Sequence, residues 1–270
     1  MRRSDYFWAL ILILLGVVLL LNNLDIIRVD VWGLVWPFVL IAFGLWILWG
    51  VLTGPGEVEA EEVSIPLEGA QQASVRMQHG AGRLRVGGGA GPEELLNGRF
   101  GGGLETGVRG REEGGELSVS LKTPSTTFPQ VMLPWSWGPR GGLNWDVQLN
   151  PDVPLRLKME TGASESKIDL SELQVEEVEV QTGASDTELT LPAAAGSTRA
   201  VVRSGVAAVR IRVPSGVAVR IRAEGGLAGI SVDRDRFPRQ GKVYESPDYD
   251  SAVNKVDIDV ETGVGSVDVR

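Results

Sequence analysis

The chain has 270 residues, no cysteine, one histidine and a formal net charge of -9, with a pI near 4.8. That balance disfavours a nucleic-acid function, which calls for a basic face that neutralises phosphates. The lack of cysteine removes disulfides and thiolate metal sites without choosing a compartment.

The apolar 43% of the sequence is concentrated at its start. No charged residue occurs from Tyr6 to Leu24, and Phe7 to Leu21 is apolar apart from Gly16; about 20 such residues cross a bilayer core. A second uncharged run, Val31 to Gly56, is most apolar from Leu34 to Leu52, and Asn22, Asn23, Asp25, Arg28 and Asp30 separate the two. Arg2 and Arg3 before an apolar run would also suit a signal peptide. The second run, the missing cleavage site after Leu21, and Trp8, Trp32, Trp36, Trp46 and Trp49 near the span ends favour a transmembrane helical hairpin over residues 1–54. Its helices are predicted at about 6–24 and 32–52. Arg2, Arg3 and the terminal amine outnumber Arg28, so the positive-inside rule predicts both termini, and with them the soluble domain, in the cytoplasm. An acidic linker with Glu57, Glu59, Glu61 and Glu62 occupies 55–62.

From Val63 onward apolar and polar residues alternate with period two, the pattern of half-buried strands. A template recurs with apolar residues five and three positions before a glycine and at even offsets after it. It is clearest around Gly162, Gly183, Gly205 and Gly263, with weaker copies around Gly226 and Gly80. Gly162, Gly183, Gly205 and Gly226 are spaced 21, 22 and 21 residues apart. A fixed period near twenty marks a solenoid whose units bury their apolar faces on one another. The glycines are expected at corners, where the chain takes a positive φ or turns tightly. Residues 63–145, rich in glycine and proline from Gly87, form an expected N-terminal β cap, and 146–270 the repeat region. Between Asp233 and Asn254 a polar segment interrupts the repeats.

Few residues invite chemistry. His79 has no second histidine or cysteine with which to hold a metal and fits a structural turn position. Glycine runs at 87–89, 101–103 and 141–142 lack the Gly-Lys-Ser/Thr of a phosphate cradle. A polysaccharide-cleaving solenoid would need two carboxyls at a defined separation, whereas stacked outward positions such as Lys167, Glu188 and Arg210 alternate in charge. No catalytic group, cofactor or metal site is expected. The basic stripe Arg199, Arg203, Arg210, Arg212, Arg220 and Arg222 would receive an acidic partner or lipid head groups, unless neighbouring acids such as Glu188 and Glu224 absorb it. Trp135, Trp137 and Trp145 either seal the cap or present a docking loop.

Several motifs together resemble a LiaI/LiaF-like transmembrane hairpin followed by a toast-rack domain. They are Gly16-Val-Val-Leu-Leu-Leu-Asn22-Asn-Leu24 and Trp36-Pro37-Phe-Val-Leu-Ile-Ala-Phe-Gly44-Leu45 in the hairpin, and Thr161-Gly-Ala-Ser164, Asp169-Leu-Ser171, Thr182-Gly-Ala-Ser185, Val213-Pro-Ser-Gly216 and Gly263-Val-Gly-Ser266 beyond it. Tyr244-Glu-Ser-Pro-Asp-Tyr249 followed by Ala252 matches the segment before the final repeat. The resemblance implies an all-β, one-sided, single-stranded β-solenoid and a role in bacterial envelope-stress signalling, in which related proteins restrain a sensor kinase in the membrane. It carries over no catalytic residues. The expected function is therefore a non-enzymatic membrane regulator whose partners are the lipid bilayer, a membrane protein such as a sensor kinase, and further copies of itself. Gly16, Gly33 and Gly44 would permit close helix contact. The rival is a structural module whose solenoids stack end to end.

Overall fold

The computed structural model describes residues 36–37, 39–45, 48, 60–110, 115–124 and 143–270. The chain divides into two units, Met1–Gly54 and Pro55–Arg270. In the first, the described residues are helical and exposed. Among the described residues no helix is long and apolar enough to cross a membrane. The span expected over 6–24 lies outside them, and that over 32–52 largely so.

The second unit is all-β, with strands β1 Ala60–Pro66, β2 Gln72–Gly88, β3 Glu94–Gly101, β4 Glu105–Gly110, β5 Glu116–Lys122, β6 Asn144–Leu149, β7 Leu155–Asp169, β8 Val175–Thr190, β9 Ser197–Arg212, β10 Ala218–Val232, β11 Arg239–Gln240, β12 Val243–Glu245 and β13 Lys255–Val269. Each repeat is one long strand. At about 3.3 Å per residue the 15 residues of β7 would reach about 50 Å if straight. The connection 170–174 can span only about 20 Å, yet β8 runs parallel to β7 and in register with it. Each strand must therefore fold back on itself at its glycine, giving two arms that face each other.

Burial shows how the fold-back keeps one core. In β7, Leu155, Leu157, Met159 and Thr161 point inward before the corner; Gly162 and Ala163 are both exposed; then Ser164, Ser166, Ile168 and Leu170 point inward. Two consecutive outward residues shift the alternation by one, so the returning arm presents its apolar side to the first. Stacking then aligns these residues in ladders such as Val75, Leu157, Val178, Ala200, Ile258 and Ile221, all between 0% and 2% exposed.

Of the two expected uses of the corner glycines, the tight turn is present and the positive φ is not. None of Gly80, Gly162, Gly183, Gly205, Gly226 and Gly263 has a positive φ. From Gly162 onward, what each one accommodates is the neighbouring turn: a Cβ on Gly183 would lie 2.8 Å from the Gly162 carbonyl oxygen, one on Gly205 2.9 Å from that of Gly183, and one on Gly263 2.7 Å from that of Gly205. Gly162 is tighter still against Gly80. The left-handed conformation appears two residues later, at Gly82 and Gly265.

The stacking order is β2-β7-β8-β9-β13-β10, all parallel. The C-terminal strand thus inserts between β9 and β10, and the repeats centred on Gly205 and Gly226 are not paired with each other. Residues 233–254 make this possible by passing around the outer edge of β10, where β12 pairs with Arg220 and Ile221. Asn254 then links Ala218 to Gly196, and β13 begins. At the other end, β5 lies beside the first arm of β2 and β6 beside its second, with β3 and β1 continuing antiparallel from β6 and β4 from β5. Phe100 and Trp145 pack edge to face there, their ring centres 5.1 Å apart.

Candidate interaction surface

The outward positions of the stack carry most of its charge. Arg76 and Gln78 donate to Glu160 at 2.6 and 2.8 Å, and hold its carboxyl below the ordinary range. Lys158, at 2.9 Å, and Gln181 do the same for Glu179.

The basic stripe expected to receive an acidic partner is occupied from within the chain. Arg203 lies 3.0 Å from Glu179 and 3.4 Å from Glu261, Arg210 2.9 Å from Asp186, Arg212 2.6 Å from Glu188 and Arg222 3.3 Å from Asp259. Arg199 also approaches Asp259, at 3.7 Å. Much of this acid comes from β13. In register, Asp257 stands between Arg199 of β9 and Arg220 of β10. Direct contact of β9 with β10 would set those two arginines side by side, a like-charge pairing that opposes the sheet.

Arg220 is partly withdrawn from the open surface. Its Nε bonds Glu245, its guanidinium lies 4.1 Å from the centre of the Tyr249 ring, and Tyr249 donates to Asp257 at 2.8 Å. It fastens the 233–254 segment to β10. No sequence periodicity marks Glu245 and Tyr249 as its partners, because they lie in an irregular segment.

Trp145 is 1% exposed and forms part of the core between β6, β2 and β3, so it cannot belong to an interaction surface; the apolar ring fills the space where the cap closes over β2. Trp135 and Trp137 lie outside the described residues. His79, also inward, is 2% exposed, and its Nε2 donates to the Leu143 carbonyl at 2.8 Å.

The corner holds a second feature. The Thr182-Gly-Ala-Ser185 motif places a hydroxyl on each side of the turn, where Ser185 donates to Thr182 at 2.9 Å; between neighbouring corners Ser204 of β9 donates to Thr262 of β13 at 2.8 Å. These short polar contacts satisfy some of the groups that the tight bend buries, though Thr161 Oγ1 has no hydrogen-bond partner among the described residues. Outside them the stacked corners border a shallow groove of about 820 Å³ lined by residues such as Gly183, Gly205, Gly263, Arg203 and Glu224. Beside it runs a ridge, Ala163, Ala184, Val206, Val264 and Leu227, whose signal in the sequence is the residue that follows each corner glycine.

Three family models cover nearly the whole chain. The N-terminal domain of toast_rack, DUF2154, matches residues 54–212, the LiaI-LiaF-like transmembrane region 6–48, and the C-terminal domain of the cell wall-active antibiotics response protein LiaF 157–269. No curated protein matches. The crystal structure of a Clostridium sporogenes ATCC 15579 protein, named for a suggested role in cell adhesion, aligns with a TM-score of 0.69 at 22% identity over 78% of this chain and 98% of that one, which shows a shared fold. With a transmembrane-region model at its start and toast-rack and LiaF models over its β stack, the chain belongs to the LiaF-type toast-rack family.

Proposed function

We propose that this protein is a non-enzymatic, membrane-anchored regulator of a bacterial envelope-stress response that acts through protein contacts. The observation that carries the reading is the succession of matches, a LiaI-LiaF-like transmembrane region followed by a LiaF C-terminal domain on one chain. In this reading residues 1–54 form two spans that contact the bilayer and a membrane partner such as a sensor kinase, with the β stack in the cytoplasm.

Co-purification from membranes, with and without residues 1–54, tests it. Capture of a kinase that depends on those residues is expected; a chain that captures no membrane protein in either form counts against the regulator. The suggested adhesion role of the Clostridium sporogenes protein favours a second reading, a structural module facing the cell wall. A reporter fused after Arg270 separates the two, because adhesion requires the stack outside the cytoplasm.

A further inference from the structure

Charge pairing holds on the last strand at Arg220 and Arg222 but fails in the row nearest the corner. Two residues before the corner, the sequence across the sheet is Gln78, Glu160, Gln181, Arg203, Glu261 and Glu224. Arg203 is bracketed by acids, but Glu224 stands beside Glu261 and has no ion pair among the described residues. Adjacent like charges on one sheet face oppose each other, so the free side of Glu224 favours a base.

The ridge changes at the same end. Val206 is 59% exposed, Val264 44% and Leu227 81%, after two alanines. Exposed apolar surface that grows toward one end of a stack marks that end for contact.

Beyond the corner, β10 has an edge with no partner strand among the described residues. Its outer side pairs with β12 only at Arg220 and Ile221, and from Ala223 to Val232 its register partners among the described residues are all in β13. Ile230 and Val232 are therefore only half-buried, whereas Val267 and Val269, at the same positions one strand inward, are 1% and 0% exposed. The first arm of β10 is covered by the 233–254 segment; the second arm has no such pairing among the described residues. A sheet edge of this kind receives an extended segment through main-chain hydrogen bonds, with alternate side chains setting specificity.

Resting on the reading of the protein as a regulator that acts through protein contacts, we propose that Glu224–Val232 of β10 is the docking edge for an extended segment of a partner protein. That segment carries a basic residue opposite Glu224 and apolar residues at alternate positions that complete the ladders ending in Ile230 and Val232. A second copy of this chain stacked end to end is the poorer occupant, because the free strand at the opposite end, β1, brings Glu61 and Glu62 to the junction.

The test uses the full chain in detergent micelles and two fluorescent synthetic peptides that alternate valine and threonine, one flanked by arginines and one by glutamates. The arginine peptide is expected to bind about three- to five-fold more tightly, the Glu224→Arg variant to reverse that order, and Leu227→Asp to weaken both peptides. Equal binding of the two, binding of neither, or an unchanged order in Glu224→Arg overturns the proposal. So does concentration-dependent self-association abolished by Leu227→Asp, which would assign the edge to a second copy. Kinase capture through residues 1–54 with no peptide binding removes the docking edge and leaves the regulatory reading standing; the reversed peptide order without any capture does the opposite.

Discussion

The imidazole of His79 lies tilted against the indole of Trp145, with ring centres 5.1 Å apart and an interplanar angle of 53°. With Nε2 committed to the Leu143 carbonyl, Nδ1 is buried without a hydrogen-bond partner among the described residues, as are Trp145 Nε1 and the Oγ1 of Thr161, the residue aligned with His79 on β7. Three unpartnered polar atoms in one corner disfavour any added charge there.

Burial accordingly pushes the His79 imidazole below its ordinary value of 6.5, against the opposing effect of the Leu143 bond. Above 6.5 the ring is neutral whether the chain is folded or not. As pH falls below 6.5 the unfolded chain takes up a proton that the fold resists, so stability is lost from there down through the lowered folded value, by at most about 1.4 kcal/mol per pH unit. Urea unfolding at pH 7.5 and 5.5 should show the decline, and His79→Phe should flatten it. An equal decline in that variant would move the effect to other groups.

The glycine column makes a sharper contrast. Gly183→Ala forces its new methyl to 2.8 Å from the Gly162 carbonyl oxygen, whereas a Cβ on Gly80 meets nothing within 4 Å. Overpacking of this kind costs about 1–3 kcal/mol, so Gly183→Ala should lower the denaturation midpoint measurably and Gly80→Ala should hardly move it. Similar losses in both would show that the corner glycines serve backbone freedom after all.

Insertion of β13 predicts a coupled loss. Deleting residues 255–270 removes the register partner of both β9 and β10 and the acids that separate Arg199 from Arg220. Hydrogen exchange should then lose protection across 218–232 as well as at the new end of β9. In the intact chain, Asp259→Ala removes one partner of Arg199 and of Arg222 at a partly exposed site and should cost about 0.5–1 kcal/mol. Protection of 218–232 that survives the deletion would mean that β10 can close onto β9 directly.

Much of this fold is visible in the pattern of residues. The one-step phase change between Met159 and Ile168, with Gly162 and Ala163 both outward, is the corner itself, and its recurrence around Gly183 and Gly205 gives the stack. The neighbour of a given strand is harder to read, because a repeat template is equally compatible with any adjacent copy. Charge resolves it: Arg199 and Arg220 align through Asp257 of the last strand, and a basic stripe in an acidic chain is the trace of that insertion. The exposed end of β10 has no comparable signal, since Ile230 and Val232 look like core residues until the strand beside them is found missing among the described residues.

Tyr249 closes the covered arm of β10 and titrates accordingly. It donates to Asp257 at 2.8 Å beneath the Arg220 guanidinium, and burial together with that bond pushes its phenol up to about 12. A raised folded value means that the contribution is complete below the ordinary value of 10 and is lost as pH rises from there through about 12. Tyr249→Phe keeps the ring under Arg220 but leaves the Asp257 carboxylate without its donor, which should cost about 1–2 kcal/mol at pH 8. The same variant should lose less stability than the parent between pH 9.5 and 11.5 in urea unfolding. A parallel decline in parent and variant would show that the alkaline transition belongs to another group and that the clamp on the 233–254 segment does not depend on the phenol proton.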